Sequence, residues 1–211
     1  MGFKCLSCTQ CCKRYNISIL PEEAERIAKG LGISLKEFFE TYADLFIQLF
    51  PSSFKKEKLV VSINSFPKEL QKNLIEANSS HFLILPGIIL KRNEDACIFL
   101  KDNLCSIHEI KPEPCNLFPF ISWNPETDLR KSYKFCAGLQ ASKEQVTMQQ
   151  KHTLAHEKHY SNVKQNFEQI KRQGFKKVFS TLPSSGKLLI KDKFVSNISK
   201  KEFEEIIKLI S

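Results

Sequence analysis

The feature that most constrains this chain is a run of four cysteines near its start, CLSCTQCC at residues 5–12. They are Cys5, Cys8, Cys11 and Cys12, and the last two are adjacent. Such spacing is typical of short loops that hold several thiolates around one cluster while a distant cysteine completes the ligand set. Because neighbouring side chains usually diverge, we expect one of the adjacent pair to reach elsewhere. The run predicts a metal centre near the N-terminus.

Four further cysteines are spread along the chain. They are Cys97, Cys105, Cys115 and Cys136, and the first three lie in ACIFLKDNLCSIHEIKPEPCNLFPF at residues 96–120. Thiols beside turns can converge on one point, as a metal site requires. Eight thiolates allow two four-cysteine sites, one cluster beside structural or redox cysteines, or a bimetal site with bridging thiolates. The C-x2-C-x2-C-C rhythm favours an iron-sulfur centre, and a 4Fe-4S cluster first, with zinc as the alternative.

Composition and targeting signals indicate the compartment. The 211 residues contain no apolar run long enough to cross a bilayer and no N-terminal signal sequence, so we expect a cytoplasmic protein. Thiols stay reduced there, which favours metal binding over disulfides. No glycine-rich phosphate loop or dinucleotide fingerprint is present, so no nucleotide cofactor is indicated.

The net charge of +9 is concentrated in one segment. Residues 138–193 contain 11 Lys or Arg and 4 Asp or Glu. This segment has few aromatic residues for base stacking, so a solvated basic helix is favoured over a nucleic-acid surface. A redox partner or an acidic macromolecular partner stays open, and no membrane partner is expected.

The hydrophobic pattern predicts an α+β fold, a small helix-rich domain around the metal with a small β-sheet and a mainly helical C-terminal portion. We expect helices at residues 20–30, 35–49, 138–174 and beyond Ser199, a short helix at 67–77, and strands at 59–63 and 82–90. No internal repeat stands out. Residues 1–140 are expected to form the cysteine-cluster domain, and residues 141–211 a helical extension packed on it.

Four histidines are candidates for further metal ligands. His152, His156 and His159 fall on one face of the predicted basic helix, where an exposed stripe is favoured over a second metal site. His108 lies three residues after Cys105. A hydrogen-bonded histidine in a turn is its expected role, with support of a thiol ligand as the alternative.

The eight cysteines and three phrases around them resemble a known family. The phrases are Cys97-Ile98-Phe99-Leu100, Cys105-Ser106-Ile107-His108 and the stretch KPEPCNLFPF at residues 111–120. Together they are similar to the CxxCxxCC iron- or zinc-chelating family, the YkgJ-like cysteine-cluster proteins. The resemblance implies a cysteine-ligated metal centre and an Fe-S oxidoreductase-like activity. Flagellin lysine N-methylases look like distant relatives, which keeps protein-lysine methyl transfer as a further alternative.

The chain departs from the family pattern at three positions. Thr9 stands where the first cluster often has glycine, and Lys111 and Asn116 stand where arginine is usual. The ligands are intact, but the cationic groups that would donate to the sulfurs are weakened. We therefore expect a cytoplasmic iron-sulfur protein, with Phe99, Phe118 and Phe120 as apolar walls of the centre. A non-catalytic zinc-stabilised binding module is the rival from another class.

Overall fold

The structure is a computed structural model. It describes residues 3–53, 61–62, 74–77, 80–122, 124–173, 175–178, 185–190 and 193–199, together with Lys201 and Glu205. The fold class is α+β, as the hydrophobic pattern predicts. The helix expected beyond Ser199 and the first part of the segment at 67–77 fall largely outside the described residues.

Helices and strands alternate irregularly along the chain. The helices are α1 Gln10–Arg14, α2 Pro21–Leu31, α3 Leu35–Thr41, α4 Glu113–Leu117, α5 Leu129–Ser132, α6 Ala137–Gln140, α7 Gln150–Gln173 and α8 Phe175–Val178. The strands are β1 Ser18–Ile19, β2 Ala43–Ser53, β3 Val61–Ser62, β4 Leu74–Ala77, β5 Ser80–Leu90, β6 Arg92–Asn93, β7 Ala96–Cys97, β8 Leu100–Lys101, β9 Leu104–Cys105, β10 Ser185–Ile190 and β11 Lys193–Ser199. A 3-10 turn covers His108–Ile110.

Helix α2 confirms the prediction for residues 20–30. Pro21 occupies its first turn, where no N–H is needed, and Gly32 ends it in the left-handed conformation at φ 70°. Helix α3 begins as expected, because the Ser34 side chain accepts a hydrogen bond of 3.1 Å from the Glu37 N–H. Each of these helices therefore starts at the residue that the local signals indicate.

The prediction that α3 continues to residue 49 is wrong. The helix ends at Thr41, and β2 begins at Ala43. The run Leu45-Phe46-Ile47 fits a helical stripe, but an unbroken apolar run equally suits a central strand buried on both faces. Leu45 and Ile47 pack into the main core, whereas Phe46 packs with Ile89 in a separate cluster. Pairing with neighbouring strands decides between the two structures.

Strands β2 and β5 form the centre of a sheet that has seven strands among the described residues. They run antiparallel from Ala43 opposite Leu90 to Ser52 opposite His81, and the order is β1-β5-β2-β10-β11. Strand β10 is parallel to β2, while β3 and β4 pair with β2 and β5. The sheet is larger than expected. Strands predicted at 59–63 and 82–90 correspond to β3 and β5, but Leu74–Ala77 is a strand where a short helix was expected.

Two short hairpins follow the sheet and repeat after eight residues. Strand β6 pairs with β7 and β8 with β9, and each hairpin ends at a cysteine. At their bases, the Ile98 N–H donates to the Lys91 carbonyl and the Ser106 N–H to the Phe99 carbonyl. This repeat was missed in the sequence, although acidic or amide turn residues precede both Cys97 and Cys105.

The basic segment is helical over a shorter range than expected. Helix α7 begins at Gln150, and residues 142–149 form irregular chain between α6 and α7. Val146 and Met148 from that irregular chain are buried in a second core, which competes with helix formation. No helix in the described ranges is both long enough and apolar enough to cross a membrane.

The described residues form two main apolar cores. The first packs α2, α3 and two residues of α7, Phe167 and Ile170, against the sheet. The second collects Leu129, Cys136, Leu139, Val146 and Met148, with Phe3 packed against them. Cys97 and Cys105 pack against the first core, and Cys136 is part of the second. The division of the chain at residue 140 stays a prediction.

Candidate metal centre

Five thiols from four parts of the chain form one group, here called the distal group: Cys11, Cys12, Cys97, Cys105 and Cys115. They are half-buried and free. Ionised Cys97, Cys115 and Cys105 would each raise the pKa of Cys12, and ionised Cys11 would raise the pKa values of Cys97 and Cys115, so these thiols lie within electrostatic range of one another. The structure thus brings the second half of the N-terminal run toward thiols some 85 to 105 residues later.

The adjacent pair lies within the distal group and does not diverge. The Sγ atoms of Cys11 and Cys12 are 4.0 Å apart, and one thiol can donate to the other. This contact is the main reason that the pKa of Cys11 is raised and that of Cys12 is lowered. Our expectation that neighbouring side chains point apart is therefore wrong for this pair. Two thiolates on one tetrahedral ion at about 2.3 Å each would be about 3.8 Å apart, which is close to the observed spacing.

The other three thiols form a separate group, here called the proximal group: Cys5, Cys8 and Cys136. Cys136 is buried, Cys8 is half-buried and Cys5 is exposed. Burial is the largest cause that raises the pKa of Cys136, and the charges of Cys8 and Cys5 add to it. The first half of the N-terminal run therefore belongs with Cys136, so the grouping in space differs from the grouping along the chain.

Burial and mutual repulsion act on the distal thiols. Burial raises the pKa of Cys115 to about 12, and the charges of Cys97, Cys11 and Cys105 act in the same direction, while Lys111 opposes them. The pKa of Cys97 is also raised, mainly by burial, and Arg92 opposes that rise. A raised pKa keeps these thiols protonated when no cation is present, and a bound metal ion would displace the protons and stabilise the thiolates.

Arg92 connects the two halves of the distal group. Its guanidinium donates to the carbonyls of Tyr15 at 2.6 Å, Lys13 at 2.7 Å and Cys12 at 3.5 Å, and also to that of Asp95. Three of these carbonyls lie at the end of α1, where the helix dipole is negative. Arg92 also pairs with Cys97 across the first hairpin. Sequence reasoning missed this residue, because carbonyl acceptors leave no signal in a sequence.

Helix α2 fixes the start of α4, the short helix that carries Cys115. The buried Glu23 carboxylate accepts from the Leu20 N–H at 2.8 Å and from the Glu113 N–H at 2.6 Å. Arg26 donates to the carbonyls of Ile110 at 2.8 Å and Lys111 at 3.1 Å. These contacts join the start of α4 to α2 and set the position of Cys115. In the sequence, Glu23 has the pattern of an ordinary acidic residue in the first turn of a helix. Its hydrogen bond with the Glu113 N–H could not be predicted from that pattern.

Aromatic side chains line the space beside the N-terminal run. Phe118 packs on Tyr15 at 5.9 Å between ring centroids, on Tyr133 at 5.0 Å and on Phe135 at 6.2 Å. Phe118 and Phe120 pack against the second core, whereas Phe99 is buried in the first and stacks on Tyr42 at 4.9 Å. The three phenylalanines predicted as walls therefore divide between the two cores.

The histidines do not form the exposed stripe that we expected. His156 is buried, and the His152 ring stacks on Phe120 with 3.7 Å between centroids. This helix face packs against the body of the protein, which explains the difference. Burial lowers the pKa of both. His108 is exposed in its turn, where Nδ1 lies 3.4 Å from Glu109 and Nε2 lies 3.4 Å from Lys111.

The donor set fits a thiophilic metal, although the thiols are not drawn together to coordination distance. In the described part of the chain, no group of three or more His, Cys, Asp or Glu side chains has the arrangement that holds an ion. The donors nevertheless consist of half-buried sulfurs on loops, hairpin ends and helix starts. Soft thiolates of this kind select zinc and iron-sulfur centres rather than magnesium or calcium.

Eight free thiols in an α+β fold are the donor set expected of a cysteine-rich metal-chelating protein. The family model described as "Putative zinc- or iron-chelating domain", CxxCxxCC, matches residues 4–137. The chain belongs to this CxxCxxCC family, which covers both thiol groups. No curated protein and no solved structure matches the chain.

Proposed function

We propose that the distal group holds an iron-sulfur centre, with a 4Fe-4S cluster as its form, and that the protein acts in electron transfer or Fe-S oxidoreductase-like chemistry. One observation carries the proposal. Five half-buried thiols from four parts of the chain lie within electrostatic range of one another, and a 4Fe-4S cluster is held by four cysteine thiolates that converge from separate loops. The C-x2-C-x2-C-C spacing of the N-terminal run supports iron-sulfur over a mononuclear zinc ion, which also takes four thiolates.

The chain's own residues would tune such a centre. Backbone N–H groups beside the thiols, Arg92 and Lys111 offset negative charge, and the aromatic residues around Phe118 limit water access. When bound, an iron-sulfur cluster supplies one-electron transfer at a potential set by those groups. Arg92 would supply positive charge beside the sulfurs. Lys111 and Asn116 supply less of it than the arginines that are usual at their positions in the family. The Asn116 side chain instead donates toward the Lys111 carbonyl and the Glu113 carboxylate.

A zinc centre is the second candidate, and one observation favours it. The Cys11 to Cys12 sulfur separation of 4.0 Å suits two ligands of a single zinc ion better than ligands of two irons in a cluster. In that case the metal joins the N-terminal run to the hairpins and stabilises the fold. The exposed lysines of α7, among them Lys151 and Lys158, would then offer a surface for an acidic partner. Methyl transfer to protein lysine stays a prediction of the family resemblance.

Anaerobic purification separates the two candidates. The iron-sulfur proposal expects a coloured protein with visible absorption and with iron and acid-labile sulfide in equal amounts, and Cys115→Ser should lose most of both. Leu104→Ser, at an exposed side chain beside Cys105 that is not a candidate ligand, is the matched control and should keep them. A colourless protein that retains zinc and no sulfide would favour the zinc centre instead. A protein that retains neither metal under reducing conditions would contradict both.

A further inference from the structure

A groove lies between helix α5, with the turn that follows it, and the end of α6. It has a volume of about 360 Å³ and is open to solvent. Its lining consists of Asp128, Arg130, Lys131, Lys134, Gln140 and Ser142. Pockets that bind small molecules have volumes from about 300 Å³ upward. The groove is therefore large enough for a small ligand, and none of the described residues that line it is a cysteine.

Positive charge predominates in this groove. Three of the lining side chains are cationic and one is anionic. Lys131 and Lys134 are exposed, and neither ammonium group has an ion-pair partner in the part of the chain that the structure describes. A cleft lined by charges of one sign concentrates ligands of the opposite sign. The groove should therefore attract an anion.

The one carboxylate of the groove, that of Asp128, is already bound on both oxygens. Its Oδ1 accepts from the Arg130 N–H at 3.2 Å, from Arg130 Nε at 3.1 Å and from the Val146 N–H at 3.4 Å. Its Oδ2 accepts from Arg130 Nη2 at 3.0 Å. The side-chain hydrogen bond from Arg130 is the main reason that the pKa of Asp128 is lowered to about 2. Asp128 therefore neutralises Arg130 and leaves the charges of the two lysines uncompensated.

The same ion pair holds the guanidinium of Arg130 in place at the wall of the groove. Nε and Nη2 bind Asp128, whereas Nη1 makes only long contacts, of 3.4 Å each, to the carbonyls of Ser142 and Lys143. Nη1 therefore retains the capacity to donate to a ligand. Gln140 Nε2 donates to the Arg130 carbonyl at 3.1 Å, which joins the end of α6 to α5. The two sides of the groove are thus connected before any ligand binds.

We propose that this groove binds a phosphate group, either that of free phosphate or that of a small phosphate ester, through Lys131, Lys134 and Nη1 of Arg130. A phosphate group on an ester carries a charge of about −1.5 to −2 at pH 7 and presents three acceptor oxygens. Two unpaired ammonium groups and one guanidinium N–H match that charge and that number of acceptors. The inference goes beyond the proposed metal centre and does not depend on it, because no thiol takes part.

Calorimetric titration of the full-length protein tests the site with two probes, inorganic phosphate and glycerol 3-phosphate, in a buffer without other phosphate and at constant ionic strength. We expect at least one probe to bind with a Kd below about 1 mM. The double variant Lys131→Ala with Lys134→Ala should weaken that binding at least about tenfold, because it removes two charged donors. Tighter binding of glycerol 3-phosphate would identify an ester as the ligand. Equal or tighter binding of inorganic phosphate would identify free phosphate.

The matched control is the double variant Lys151→Ala with Lys158→Ala, which removes the same charge from two exposed lysines of α7. It should bind both probes as the wild type does. Equal losses in the two double variants would overturn the inference, because binding would then follow the net charge of the protein. Absence of binding of both probes to the wild type would overturn it as well. The metal and sulfide contents should be the same in all three proteins, so a failure here is distinct from a failure of the proposed function.

Discussion

The two thiol groups are held in place by different kinds of contact. The proximal group depends on apolar packing and close backbone approach, through Phe3, Gly138 and the second core. The distal group depends on side chains that bind backbone groups, namely Arg92, Glu23 and Arg26. Packing is tolerant of small changes in angle, whereas a guanidinium bound to several carbonyls sets one geometry. We therefore expect different substitutions to disturb the arrangement of the thiols in the two groups.

This contrast has a functional consequence under the proposed function. A geometry set by several hydrogen bonds suits a centre that must not reorganise when its charge changes.

Arg92→Ala should have the largest effect, and only on the distal group. The variant leaves several carbonyls near the α1 end without their donor and removes the cation that acts on Cys97. We expect the distal metal affinity to fall about 10- to 100-fold, as measured by chelator competition. Arg92→Lys should lie in between, because an ammonium cannot bridge so many acceptors.

Lys101→Ala removes an exposed cation from the neighbouring hairpin and is the matched control for Arg92→Ala. It should leave the metal affinities of the distal and proximal groups unchanged. An equal loss in the two variants would mean that Arg92 acts through general charge rather than by holding the α1 carbonyls. An equal loss at both thiol groups would contradict the different construction proposed for them.

Glu23→Ala should destabilise the fold around Cys115. The change leaves the N–H groups of Leu20 and Glu113 without the carboxylate that accepts from both. We expect the free energy of unfolding to fall by about 2 kcal/mol, from urea denaturation of the metal-free protein. Glu22→Ala, exposed one residue earlier, should change it by less than about 0.5 kcal/mol. Similar losses in both variants would rule out a special role for the shared carboxylate.

Gly138→Ala tests the packing that forms the proximal group. The added methyl would collide with the Lys4 carbonyl and the Phe3 ring, so the N-terminal segment must move away from α6. We expect a cost of about 1–3 kcal/mol and weaker metal binding at the proximal group alone. Ala137→Ser, at the exposed preceding position, should be neutral. Weaker binding at the distal group too would show that the groups are mechanically coupled.

Local signals predicted the parts of the fold that depend on local chemistry. Pro21, Gly32 and the Ser34 cap mark the ends of helices correctly, and the apolar run before Lys91 is strand β5. The run at 45–47 satisfies both the helical and the strand pattern. Only its pairing with β5 and β10, which are distant in the chain, makes it a strand. Pairing of that kind has no local signature.

The candidate site divides in the same way. The sequence shows the eight cysteines and predicts their positions near turns. The eight-residue hairpin repeat could also have been predicted, from the turn residues before Cys97 and Cys105. The approach of Lys4 to Gly138 and that of Arg92 to the α1 carbonyls could not be predicted, because close backbone packing and carbonyl acceptors leave no signal in a sequence. The metal-ligand role of each cysteine stays a prediction.

Thr9→Gly should have the smallest effect, and it concerns the turn between the two groups. Thr9 holds φ 58°, a left-handed conformation that costs a residue with a branched Cβ about 1–2 kcal/mol. Glycine removes that strain, but it also adds about 0.4–1 kcal/mol of unfolded-chain entropy. A net gain of about 0.5 kcal/mol in thermal unfolding is therefore expected. This balance explains why glycine suits the position and why threonine is tolerated.

Gln10→Gly is the contrasting change, because Gln10 begins α1 and gains nothing from a left-handed conformation. It should lower stability by up to about 1 kcal/mol. If Thr9→Gly also destabilised the protein, the turn would depend on the threonine side chain rather than on backbone freedom. A turn that only connects the two groups should relax without favouring either, so Thr9→Gly should shift both metal affinities equally. A change in metal affinity at one group alone would mean that the turn at Thr9 is part of that group rather than a connection between the two.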